Sequence, residues 1–185
     1  MNKKKTFSLA VILICLSVLG SGTLAYFTDS TTAHNVITTG NIDIELIETK
    51  ADGTTFTDVI GVMPGMEVSK IVRVSNEGAN DAWVRVAVQK EITLADKTKG
   101  DAETYLNIAY NTTDWTYQND GYYYYNKALT PDEVTTPLFE KVLFDTSMGN
   151  EYQNSTAQVY VYAQATQVDN NGDTVFEAEG WPEAE

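Results

Sequence analysis

Residues 156–168 read TAQVYVYAQATQV. Small or apolar residues alternate there with polar and aromatic ones at period two. That is the signature of a strand with one face on a core, not of a helix. Asn171-Gly172 then turns the chain back towards Val175 and Phe176, as the second arm of a hairpin would run.

The same pattern recurs upstream. Ile42, Ile44 and Leu46 alternate with Asp43, Glu45 and Ile47; residues 68–74 read VSKIVRV and 83–88 read WVRVAV. The last two flank the polar stretch NEGAND at 76–81, which predicts an antiparallel pair. Met63-Pro64-Gly65-Met66 is a sharp turn before the first of them. WTYQ at 115–118 and YYYY at 122–125 flank Asn119-Asp120-Gly121, whose Asp-Gly can supply the positive φ of a tight hairpin. Leu138, Val142, Leu143 and Phe144 suggest a further strand, and the polar run 94–106 an excursion with some helix. Seven to nine strands with short turns and little helix predict an all-β fold, an antiparallel β-sandwich or jelly roll.

The N-terminus is of another kind. Lys3, Lys4 and Lys5 precede an apolar run from Phe7 to Leu19, followed by GSGTLA at 20–25. A basic start, a short apolar stretch and a small-residue exit make a cleaved secretory signal helix. The run is short for a membrane span, which needs about 20 residues. The cut falls between Ala25 and Tyr26. Cys15 is the chain's single cysteine and follows Ile14, too large a residue to precede a lipidated cysteine. Four segments result: a signal peptide (1–25), an extended N-terminal segment (26–40), a β-sandwich domain (41–176) and an acidic tail (177–185) expected to fray.

Of 185 residues 43% are hydrophobic, enough for a core, and the net charge is −14. Removing the leader leaves nine basic residues against 26 acidic ones, a net charge of −17. That balance excludes nucleic acid, whose phosphates need clustered Lys and Arg. It leaves the membrane as a partner only through the leader. With Cys15 gone the processed chain holds no disulfide, and packing and hydrogen bonds carry its stability.

GTLAYFTD at 22–29 and TGNIDIEL at 39–46 resemble the signal-exit signature of the TasA/camelysin family. These are Gram-positive exported proteins released by a dedicated SipW-type signal peptidase. The turn PGME at 64–67, the strand 68–74 and the Asn76-Glu77-Gly78 break resemble the family too, as do DGYYYY at 120–125 and the final alternating strand. The resemblance implies a jelly-roll domain and a role in the biofilm matrix. TasA-type members form fibres by donating the mature N-terminal segment to the next subunit; camelysin-type members are described as surface metalloendopeptidases.

Donation has a physical basis. A sheet edge leaves backbone groups unpaired, and an extended segment satisfies them while its side chains fill pockets. In 26–40 the anchors would be Tyr26, Phe27, Val36 and Ile37. The segment has two other fates: pairing with its own domain, or hanging as a free stub.

Catalytic patterns are sparse. A zinc protease of the His-Glu-x-x-His kind needs two imidazoles, and the one histidine, His34, lies beside the signal cut. There is no Gly-x-Ser-x-Gly elbow and no Gly-rich phosphate loop. DNNGD at 169–173 begins like a calcium loop, but its sixth and twelfth places hold Thr174 and Gly180, so a turn is expected. No cofactor is called for beyond weak Ca²⁺ binding by clustered acids. Tyr122, Tyr123, Tyr124 and Tyr125 would face alternately in and out. One pair would then be surface aromatics for a glycan or protein, or all four would pack across the hairpin on Trp115 and Tyr117.

The reading these residues favour is a secreted structural or interaction protein of the cell surface or matrix. A surface metalloendopeptidase and a monomeric glycan- or protein-binding module are the alternatives. Amino-terminal sequencing of the exported protein should begin at Tyr26; a first residue within 1–25 would contradict the leader assignment.

Overall fold

Strands form where the alternation places them. A computed structural model of the chain describes residues 42–57 and 63–182, and of 35–38 the backbone. The leader, Ala25, Tyr26, Phe27 and His34 lie outside the described residues. Among the described residues ten strands build two sheets. The large sheet has the order β1 (Asn35–Thr38), β10 (Thr156–Gln167), β4 (Ala82–Thr93), β8 (Tyr122–Tyr125), β7 (Trp115–Tyr117), with β5 (Lys99–Gly100) pairing on β4. The small sheet has the order β2 (Ile44–Thr49), β3 (Glu67–Asn76), β9 (Phe139–Phe144), β6 (Leu106–Ile108). One helical turn, α1 (Ala102–Tyr105), interrupts the 94–106 excursion, and Asp101 caps it by accepting from the Thr104 N–H. The all-β sandwich expected from the sequence is what forms.

The spine is the β4–β10 pair, antiparallel and in unbroken register from Ala82↔Gln167 to Thr93↔Thr156. Val84, Val86, Ala163 and Ala165 are fully buried there, in one core with Leu46, Val72, Val74 and Phe139 of the small sheet. Each such large apolar side chain is worth about 1.5–3 kcal/mol on burial, against about 1 kcal/mol for a typical hydrogen bond. Burial therefore sets the register, because a one-residue slip would turn Val84 and Val86 to the opposite face.

Two turns form as read. Met66 N–H bonds the Met63 carbonyl, with Pro64 second and Gly65 at φ +78° third, as a type II turn requires. In the tyrosine hairpin Gly121 N–H bonds Gln118 C=O, and Gly121 alone takes positive φ, +92°, which is a type I turn with a following left-handed residue.

Three expectations are corrected. β3 and β4 do not pair: β3 lies between β2 and β9, and β4 between β10 and β8. The polar stretch 76–81 is an arch from one sheet to the other, built around the fully buried Asn76. The Asn76 amide donates to the Asn80 and Leu129 carbonyls at 2.8 Å each, and its oxygen accepts from Gly78 N–H at 3.0 Å. With those groups satisfied inside the arch, a hairpin gains nothing. Second, Val175 and Phe176 form no strand; Val175 is buried against Trp83 and Tyr124. Third, the acidic tail does not fray through Pro182: Ala178 and Trp181 pack on that same cluster.

One buried feature has no counterpart in the sequence reading. Lys70 and Glu48 fall on the inward phase of β3 and β2, and Lys70 sits where β3 bulges against β9 between Ser69 and Val72. Lys70 Nζ is 2.6 Å from Glu48 Oε1, with the side chains 4% and 3% exposed. The ammonium also lies 4.2 Å from the Phe56 ring centroid, while Glu48 Oε2 has no hydrogen-bond partner. Taking one partner away strands a charge in the core. Lys70→Ala or Glu48→Ala should each cost about 3–5 kcal/mol in urea unfolding, and Lys70→Met with Glu48→Leu should recover most of that. Single variants as stable as the parent would contradict a closed, dry pair.

Candidate functional site

Val36 and Ile37, two of the four donor candidates, lie in β1. Its register on β10 is parallel: Asn35↔Tyr162, Val36↔Ala163, Ile37↔Gln164, Thr38↔Ala165. Of the three fates open to the N-terminal segment, residues 35–38 take pairing with their own domain. They do so as an edge strand, hydrogen-bonded to one neighbour, against four positions of the twelve-residue β10. A parallel ladder is slightly weaker per residue than an antiparallel one.

The four tyrosines of β8 do not divide into a buried pair and an exposed pair. Tyr124 and Tyr125 are 6% and 1% exposed, and Tyr122 and Tyr123 are half-buried. Tyr125 fills the inner core beside Trp115, with ring centroids 4.9 Å apart. Tyr123 shares the inner face and packs on Tyr117 across the hairpin at 4.9 Å. Packing across the hairpin is thus realised, and Tyr124 and Tyr125 present no surface to a glycan. The exposed ring here is Tyr117, in β7.

The outer face is covered as well, by the chain after β10. Arg85 is the hub. Its guanidinium carbon lies 4.0 Å from the Tyr122 ring centroid and 4.5 Å from that of Trp181. Nε donates to Gln164 Oε1 and Nη1 to the Tyr124 hydroxyl, both at 2.9 Å. Tyr124 in turn donates to Asp120 Oδ2 at 2.6 Å. Burial raises the Tyr124 phenol above its ordinary range and the bond to Asp120 adds to this, with Arg85 opposing.

Asn171, in the stretch read as an unsuccessful calcium loop, fastens this covering segment. Its Nδ2 donates to Thr166 Oγ1 and to the carbonyls of Gln167 and Glu179, and its Oδ1 accepts from Glu179 N–H at 2.7 Å. Trp83 Nε1 donates to the Asn171 carbonyl at 3.1 Å. The turn holds down the C-terminal segment. Trp181→Ala should remove one wall of the Arg85 sandwich and destabilise the chain by about 1–2 kcal/mol in urea unfolding. An unchanged midpoint would contradict a structural role for the segment.

Among the described residues no three His, Cys, Asp or Glu side chains come together in a group able to hold a metal ion. The family model described as Camelysin metallo-endopeptidase matches residues 1–112, from the N-terminus to just past β6. No curated protein and no solved structure matches the chain. The family's description implies a catalytic metal, and the described side chains do not fit one, so no hydrolytic step follows from them. The matched portion carries the GTLAYFTD exit, the first strands of both sheets and the arch between them, and it exceeds half of the 185 residues; the chain belongs to the camelysin family of surface proteins.

Proposed function

We propose that the chain is an exported structural protein of the Gram-positive cell surface or biofilm matrix, released by a SipW-type signal peptidase. It assembles by passing its segment 26–40 to the large sheet of the next copy. The observation that carries this reading is β1. Part of the segment already serves as an edge strand, held by β10 alone in the ladder. The same strand from another copy would remake every one of those hydrogen bonds, so exchange costs little beyond the transient opening of β1. Head-to-tail donation need not close on itself, and its open product is a filament.

Pairing within the chain competes with donation. It keeps the monomer closed until β1 leaves β10. The processed charge of −17 adds repulsion between copies, which salt screens. Assembly should therefore quicken as ionic strength rises.

The test compares residues 26–185 with a variant lacking 26–38, by sedimentation and electron microscopy. The longer chain should form fibres, the variant should stay monomeric, and a peptide of residues 26–38 should bind the variant. Equal assembly of both proteins would overturn the proposal. The family's description supports a second reading, a surface metalloendopeptidase. Chelator-sensitive cleavage of casein by the purified chain would favour it.

A further inference from the structure

Three tyrosine rings form a chain from solvent to the seam between the two sheets. Tyr117, in β7, is 56% exposed. Its ring lies 4.9 Å from that of Tyr123 in β8, its register partner. Tyr123 stacks on Tyr110 with centroids 4.2 Å apart and planes 23° from parallel. Tyr110 belongs to the other layer: it follows β6 and meets Phe139 of β9 edge-on at 5.8 Å. The two phenols lie close enough for each to affect the other's ionisation. Burial pushes both phenols above their ordinary range, Tyr110 further, so both are protonated at neutral pH and electron loss must be accompanied by proton loss.

This arrangement suits one-electron chemistry. Electrons pass readily between rings in contact. A phenoxyl radical carries its spin on oxygen and on the two ortho carbons, and two phenoxyls held together couple ortho to ortho. The chain's one cysteine is Cys15, in the leader, so no disulfide joins the layers.

We infer that Tyr110 and Tyr123 are an oxidative modification site: a peroxide-driven one-electron oxidant acting at Tyr117 joins them in an intramolecular dityrosine bond that links the two sheets. Each of the two phenols loses one electron and its hydroxyl proton. A carbon–carbon bond forms between ortho positions, and the two ortho hydrogens return to the oxygens as the rings regain aromaticity. The product is two hydrogens lighter, and one hydrogen peroxide becomes two waters. The bond restrains the unfolded chain as a disulfide would.

Tyr105 and Tyr152 supply an internal comparison. Their centroids are 4.7 Å apart, but the rings meet edge to face at 61°, and the Tyr152 hydroxyl accepts from Asp101 N–H. Contact alone would couple this pair; near-parallel stacking at the shorter centroid distance selects the other.

The experiment treats the purified chain, dilute, with hydrogen peroxide and a haem peroxidase. The expected product is monomeric, shows dityrosine fluorescence, has lost two hydrogens by mass, melts at a higher temperature, and gives a peptide map joining Tyr110 to Tyr123. Tyr110→Phe and Tyr123→Phe, which keep the ring packing, should each abolish that link. Tyr117→Phe should retain it while slowing its formation several-fold. Links only between molecules, a link at Tyr105–Tyr152 in place of this one, or an undiminished monomeric yield in Tyr123→Phe would overturn the assignment.

Discussion

The β4–β10 ladder is the constraint on which the rest of this chain depends. Ala82–Thr93 and Thr156–Gln167 are far apart in sequence and lie side by side along their whole length. Their inner residues supply the fully buried centre of the large sheet, and their flanks seat everything that bears on function. On one side β1 pairs with β10; on the other β8 carries the tyrosines. The outer face presents Trp83, Arg85, Gln164 and Thr166, to which the C-terminal segment is fastened. Long-range pairing of this kind is costly to close and slow to form, and once formed it fixes both edges and both faces.

Much of this was legible because period-two alternation is a direct print of a half-buried strand. Residues 68–74, 83–88 and 156–167 lie within β3, β4 and β10, and PGM and DGY mark real turns. Strand partners beyond the β7–β8 hairpin were not legible. Asn76 reads as a turn residue, yet its amide is buried in an arch that carries the chain between layers. The difference lies in carbonyls of Asn80 and Leu129, which no local pattern announces. Lys70 and Glu48 did leave a signal, since each holds a charge on the apolar phase of its strand. Opposite charges on inward phases of neighbouring strands are readable as a buried pair once those strands are known to adjoin. The C-terminal segment misled through composition: EAEGW looks solvated, but Trp181 lies against Arg85 and Asn171 holds Glu179.

The candidate sites divide in the same way. Val36 and Ile37 read as anchors of an extended, proline-free segment, and the strand holding them is extended and at an edge. Tyr122 to Tyr125 were picked out as a run, but burial there follows what covers each face, not the run itself. Within the hairpin the ring that reaches solvent is Tyr117, four residues before the turn glycine Gly121, and Tyr110 joins it only through the meeting of the two sheets. Sequence places residues on faces; tertiary packing decides which faces stay open.

Taken together, the chain has a rigid frame and one strand attached to it by a short ladder. The frame is held by burial along β4 and β10, and β1 by a four-residue parallel pairing. Exchange of that strand between copies requires the two to differ in stability within one molecule. Amide hydrogen exchange on the monomeric chain measures this directly. Amides of Asn35–Thr38 should exchange through a low-energy local opening, orders of magnitude faster than those of Val84, Val86, Ala163 and Ala165, which should exchange only on global unfolding. Equal protection of β1 and the β4–β10 ladder would contradict the account, because a strand that opens only when the whole domain unfolds cannot be handed to a neighbour.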